Sequence, residues 1–347
     1  MILKLISDYS LIFIIEIVCC FFLLYISNII LTEIKFFDYP SERKIHNEPV
    51  TPSGGIALFI SFLIISFLFY FDTWLLYLII SSTLIVIIGL IDDKIGLGIK
   101  IRVFTQLVSC LIILSMNVYI SDLDQIFGLQ FKYDFILGMV FTIICVIAYT
   151  NASNFIDGYD GLASTNNIII YVSILILLIL NNQISQINFS LMIIIGLIIF
   201  TFFNLTLFKL PKIFLGDCGS TFIGFISSWY LIYLHFNFPN IFKPTIIIWL
   251  ISIGFFDFLR VIISRLFRKK DFLNPELNHI HHILDNILGD KKLVLIFILI
   301  LQIFLISFGF FLNIYIDNMY TIYFIYIGTF FVYYYIFENF SHLKSKK

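Results

Sequence analysis

The chain has 347 residues, of which 61% are hydrophobic and 12% charged, with a formal net charge of −1 and a mean hydropathy of +1.04. Soluble globular domains are about half apolar and one-quarter charged, so the composition excludes a soluble enzyme, a disordered chain and a disulfide scaffold. Recurrent apolar runs of bilayer-spanning length, rather than ten-residue segments of alternating polarity, exclude an outer-membrane barrel and imply an all-α polytopic membrane protein.

Eleven apolar runs are predicted as transmembrane helices, at about 10–32, 55–71, 74–91, 103–120, 135–150, 166–181, 189–208, 219–237, 244–264, 293–313 and 318–337. The first follows Lys4, is too long for a signal-peptide core and has no small-residue cleavage site after it, so it is expected to remain as a helix. Glu16 inside it is costly in lipid and is expected to face the bundle. The five cysteines (Cys19, Cys20, Cys110, Cys145 and Cys218) lack metal-site spacing and read as reduced, buried hydrophobes. Before the second run, Pro40 to Pro49 carries Arg43, Lys44 and His46 and is followed by Gly54-Gly55, a pattern that suits anion contact or headgroup anchoring.

The third run ends in Gly89-Leu90-Ile91-Asp92-Asp93-Lys94. Two adjacent carboxylates are tolerable only where a helix end reaches water; they suit a metal site, a proton acceptor or a solvated cap. After the fifth run, Asn151, Asn154, Asp157 and Asp160 recur every third position, with Gly158 and Gly161 among them. Helical geometry makes Asn154 and Asp157 neighbours on one face and puts Asn151 and Asp160 on nearly opposite ones, unless the glycines bend the chain. Carboxylate and amide oxygens are the hard donors that Mg²⁺ or Mn²⁺ prefers. Before the eighth run, Phe214-Leu215-Gly216-Asp217-Cys218-Gly219-Ser220 sets one Asp among glycines at a helix start, where exposed amides favour phosphate. Asp217 could equally be a helix cap. After the ninth run come Asn278-His279-Ile280-His281-His282, in which helical spacing puts His279 and His282 on one face and His281 elsewhere. Zinc-site companions are missing, and the nearby Arg265, Arg268, Lys269 and Lys270 favour an anionic ligand.

Seventeen of the basic residues fall in alternate loops and the tail, against Lys4, Lys132 and Lys243 on the opposite side. The positive-inside rule then puts the N-terminus outside and the C-terminus in the cytoplasm. All the polar clusters share the cytoplasmic side, so one site built from loops at about 33–54, 92–102, 151–165, 209–218 and 265–292 of a single 1–347 domain is the simplest account.

The pieces RKIHNEP…GG (43–55), GLIDDKIGL (89–97), NASNFIDGYDGL (151–162), FLGDCGS (214–220) and HIHH (279–282) occur in one order and together resemble the polyprenyl-phosphate N-acetylhexosamine-1-phosphate transferases, glycosyltransferase family 4. The HIHH form and the single-Asp FLGDCGS look closer to the WecA-like branch than to the MraY-like one. The resemblance implies a bundle of ten or eleven transmembrane helices in the bacterial inner membrane. It implies transfer of a sugar 1-phosphate, an N-acetylhexosamine 1-phosphate, from a UDP-sugar to undecaprenyl phosphate on the cytoplasmic face, with release of UMP. Mg²⁺ or Mn²⁺ is the implied cofactor, with Asn154 and Asp217 as its ligands. Asp92, Asp93, Asp157 and Asp160 are the implied catalytic carboxylates, and Lys44, His46, Arg102, Asn151, His279, His281 and His282 the substrate contacts. Relatives commonly carry an Arg where this chain has Leu277, two residues before His279. No nucleic-acid partner is implied; a homodimer is open, though no helix face advertises one. The alternatives are MraY-like phospho-MurNAc-pentapeptide transfer, a transporter of an anion or lipid-linked sugar, and an inactive relative serving as an assembly partner. Transporters place their ionisable groups near the bilayer midplane, whereas here they gather at helix ends.

Overall fold

The computed structural model describes residues 2–40, 48–121, 135–268 and 278–343. The described residues form α1 (Ile2–Glu33), α2 (Ser53–Phe69), α3 (Thr73–Ile95), α4 (Ile99–Leu114), α5 (Phe135–Ile156), α6 (Leu162–Leu180), α7 (Ile184–Asn204), α8 (Gly216–Asn237), α9 (Pro244–Leu250), α10 (Ser252–Phe267), α11 (Ile280–Leu288), α12 (Lys291–Tyr315) and α13 (Met319–Leu343). Extended structure among them is confined to two isolated bridges, Asp38 with Val50 and Thr51 with Ile213.

Every predicted apolar run falls on a helix, but the ninth is broken. Its two pieces, α9 and α10, meet at a bend of 77°. Among the described residues, seven helices are long and apolar enough to cross a bilayer, or eight with the bent pair counted as one span, and α2 is a shorter apolar helix. The polytopic membrane architecture follows directly. The count of eleven spans is reached only if α2, α4 and α8 are included. These are short or polar by the same measure: α4 begins with Lys100 and Arg102, and α8 is rich in Gly, Ser and Thr.

The chain divides into two compact units, one of residues 1–116 and 160–226, the other of 117–159 and 227–347. Between helices in lipid there is little hydrophobic driving force, so contact depends on close packing and internal hydrogen bonds. In the first unit α2 and α8 approach at Gly55 and Gly219, where a Cβ on either would strike the other's backbone; Gly89 of α3 sits equally close to the backbone of Cys218. Phe59 and Phe62 pack edge-on against Phe222 at 5.4 and 5.6 Å between centroids. Glu16 is buried beside a small cavity lined by Ser61, Met192 and Phe222, in agreement with its expected place inside the bundle. In the second unit Trp249 meets Tyr326 edge-on at 5.0 Å, and Phe256 contacts Tyr326, Phe330 and Tyr333. Gly309 allows α12 to lie against the Trp249 side chain.

Candidate active site

The first unit holds a carboxylate corner. α3 stops because Gly96 takes a left-handed φ of 66°, and its N–H returns to the Asp92 carbonyl. That turn directs the buried Asp92 side chain back over the loop. One oxygen accepts the Leu97 N–H at 2.5 Å, and the other faces the Arg102 guanidinium of α4 at 3.1 Å. Asp93 serves the neighbouring helix. Its carboxylate accepts the backbone N–H of Asp217 at 2.7 Å and of Cys218 at 3.2 Å, capping the start of α8 from outside the segment. A Cβ at Gly216, whose φ is 75°, would press on that carboxylate. The Asp217 side chain lies near Asp92, close enough for the two like charges to act on each other.

The segment leading to Asp217 is held by backbone and amide contacts. Gly54 and Gly55 N–H groups donate to the Phe214 and Leu215 carbonyls at 2.9 and 3.0 Å, and Phe214 N–H donates to Thr51 at 2.9 Å. Asn204, at the end of α7, donates to the Ile213 carbonyl at 2.8 Å and accepts from Gly161 N–H at 2.6 Å. Asp160 pairs with Lys212 at 2.6 Å on a partly exposed surface.

The second unit carries the histidine cluster and the earlier part of the polar run, as far as Tyr159. α5 ends at Ile156, and α6 starts only after Gly161, left-handed at φ 77°, so the polar run is broken at the glycines as expected. Asn151, Asn154 and Asp157 are half-buried at the end of α5; the Asn151 amide donates to the Ile147 carbonyl at 2.7 Å, and Asp157 N–H to that of Asn154 at 3.2 Å. Gly158 has an ordinary φ. Its value is clearance: a Cβ there would collide with the His281 ring.

The histidines depart from the helical reading. α11 begins at Ile280, so His279 is an extended residue ahead of the helix, and the rings brought together are His279 and His281, parallel within 9° at 5.7 Å. The reason is Asp257 of α10, which accepts the Ile280 N–H at 3.0 Å and the His279 Nδ1–H at 2.8 Å, starting α11 one residue later. His281 is buried, with Tyr159 at 5.8 Å and His282 at 4.2 Å between ring centroids. Burial, and then the neighbouring His282 and His279, hold its pKa well below the ordinary 6.5, so the ring is neutral. Tyr159 donates its hydroxyl to Asp285 at 2.6 Å.

Thus Asp92, Asp93, Arg102 and Asp217 come together, Asp160 meets Lys212, and the three histidines lie with Gly158 and Tyr159. Lys44, His46 and Leu277 lie outside the described residues. Sequence reasoning missed Asp257, Arg260, Asn204 and Lys212. Of these, only the Asp257/Arg260 spacing of three inside an apolar run was a visible signal. Among the described residues no three His, Cys, Asp or Glu side chains converge as a ready-made cage. The Asp92–Asp217 pair nevertheless fits Mg²⁺, which takes one or two carboxylates and completes its shell with water and substrate phosphate.

Residues 75–235 match the family model described as glycosyl transferase family 4. Among curated proteins, the chain is 30% identical over 277 residues to the probable undecaprenyl-phosphate N-acetylglucosaminyl 1-phosphate transferase of Bacillus subtilis (strain 168), covering 78% of this chain and 75% of that protein. It is 30% identical over 271 residues to the undecaprenyl-phosphate alpha-N-acetylglucosaminyl 1-phosphate transferase of Yersinia pestis, covering 75% of this chain and 72% of the relative. The enzyme of the same name from Escherichia coli (strain K12) is 28% identical over 270 residues, with coverage of 75% and 72%.

Proposed function

The chain belongs to glycosyltransferase family 4, and from that premise we infer that it transfers a sugar 1-phosphate from a UDP-sugar to undecaprenyl phosphate. A phosphate oxygen of the lipid forms a bond to the phosphorus that bears the sugar. The bond from that phosphorus to the bridging oxygen breaks, and UMP leaves. N-acetylglucosamine is the sugar we assign, because the similar proteins are named for it. The product, an undecaprenyl-pyrophosphate sugar, begins a surface polysaccharide at the cytoplasmic face of the bacterial inner membrane; the distribution of basic loops supports this orientation.

The observation that carries the reading is the carboxylate corner, where Asp93 holds the Asp217 backbone N–H at 2.7 Å, Asp92 lies near enough to feel the Asp217 charge, and Arg102 stands 3.1 Å from Asp92. Two anionic substrates repel, and phosphoryl transfer is governed by positioning and by neutralising charge. The ligands that the family resemblance implies for the divalent cation are Asn154 and Asp217; when bound, that cation would offset phosphate charge and favour the departure of UMP. Arg102 is held by Asp92 near the corner, where its guanidinium can take a phosphate oxygen bidentately. Asp93 acts through α8, fixing the Asp217 backbone. Asp92 need not remove a proton, because a phosphate monoester, with its second pKa of about 6, is already largely ionised near neutrality. Asn151, Asp157 and Asp160 place the nucleotide, His279, His281 and His282 bind the UDP-sugar, and Lys44 and His46 contact the anionic ends.

The test is UMP release by purified protein in detergent, supplied with undecaprenyl phosphate, Mg²⁺ and a panel of UDP-sugars. Release that needs lipid, stops with chelator and is fastest with UDP-N-acetylglucosamine is expected. Folded protein that releases nothing from any donor would overturn the assignment.

A further inference from the structure

The most heavily organised charges in the second unit are ones the proposed chemistry does not use. Asp257 and Arg260 of α10 are both buried, at 2.9 Å. Arg260 also donates to the Asn278 carbonyl, and its other arm faces Glu338 of α13 at 3.7 Å. Glu338 is shared in turn with Ser264 at 2.9 Å and Arg268 at 2.6 Å. Buried ion pairs contribute little net stability compared with apolar packing, so a network this complete calls for another reason.

Its contacts supply one. The carboxylate of Asp257 accepts from the His279 ring, from the Ile280 backbone and from Arg260, while Arg260 grips the carbonyl of Asn278. Three consecutive residues, 278 to 280, are thus tied to two side chains one turn apart on α10. The His279 ring is also flanked by Phe155 at 4.9 Å and by the parallel His281 ring. A carboxylate only accepts, so Nδ1 must carry the proton and Nε2 is the atom left to meet a ligand.

We propose that Asp257 and Arg260 are positioning residues for donor binding: they fix the rotation and the Nδ1-protonated form of His279, so that Nε2 is presented to the UDP-sugar. The proposal rests on His279 being a donor contact, and the experiment separates the two. Full-length wild type, Asp257→Asn, His279→Ala and the double variant are compared in detergent for UMP release, and by calorimetry for binding of UDP with Mg²⁺. Asn can donate as well as accept and so releases the ring to its other form. Each single variant is expected to raise the donor KM and weaken UDP by about 10–100-fold, the effect of losing the partner that orients an imidazole at metal sites, with kcat less altered. The double variant should be no worse than His279→Ala. Additive losses in this cycle would overturn the proposal alone, because Asp257 would then act by another route. Wild-type KM and UDP affinity in His279→Ala would overturn the donor-contact reading and the proposal with it. Should Asp257→Asn fail to fold, ring ¹⁵N spectra of the wild-type protein decide: a proton-bearing Nδ1 on His279 is expected, and a bare Nδ1 overturns the assignment.

Discussion

Asp93 and Asp257 do the same local work in opposite electrical company. Each is a carboxylate that caps a helix it does not belong to, Asp93 at the start of α8 and Asp257 at the start of α11. Asp93 stands beside Asp217 and Asp92, like charges that crowd one another. Asp257 stands beside Arg260 and His279, and its charge is answered within the fold. A corner of crowded carboxylates is held in a form that favours an arriving cation, whereas a balanced cluster already has what it needs and contributes shape. The first region is therefore read as a place where ligands are neutralised, the second as one where a ligand is recognised.

Substitutions should separate these roles. Removing the charge of Asp217 should take away the proposed metal contact and give the largest effect: Asp217→Asn is expected to lower kcat for UMP release by about 10³-fold, on the scale of losing a transition-state electrostatic group, with the thermal midpoint little changed. In the histidine cluster the sensitive quantity is fit. Gly158→Ala drives a methyl into His281 and should destabilise the protein by about 1–3 kcal/mol, seen as a lower midpoint in detergent. Asp93→Ala should cost about 0.5–2 kcal/mol, the worth of a helix cap, while Asp93→Asn, which can still accept a hydrogen bond, keeps activity within about tenfold, a change of about 1.4 kcal/mol in barrier. A kcat loss for Asp93→Asn as large as for Asp217→Asn would erase the distinction between capping and chemistry.

A smaller effect is expected with acid. His281 is neutral when folded, its pKa lowered by burial and by His282, His279 and Arg260 against the opposing pull of Asp257. The exposed form takes up a proton near 6.5 while the packed form does not, so the stability this gives is complete above that pH and is lost as pH falls toward the folded value. Hydrogen exchange across residues 279–288 should quicken below about pH 6.5. A rate independent of pH, once intrinsic exchange is corrected, would remove His281 from the account. Lys212→Met should change stability by less than about 1 kcal/mol, because its pair with Asp160 is partly exposed.

Much of this was legible in the sequence because a polar cluster in an apolar chain is conspicuous. The helices lie where the apolar runs lie, and the glycines between Asp157 and Leu162 end one helix and begin the next. What was hidden depends on side chains that meet only after folding. That α11 begins only at Ile280 depends on Asp257, 23 residues earlier, which caps it. The break between α9 and α10 lies inside an unbroken apolar run, where hydropathy is blind to direction. Asn204 lies unremarked inside the seventh apolar run, yet it ties Gly161 to Ile213.

The glycine contacts among α2, α3 and α8 also bear on the enzyme's surroundings. A bilayer changes thickness with its composition, and spanning helices answer by tilting. At Gly55, Gly89 and Gly219 the backbones already touch, so these helices have no room to slide past one another and must lean as a block. The separation of Asp92 and Asp217 is then insulated from the lipid: catalysis should tolerate acyl chains of different length until the interlock itself gives way.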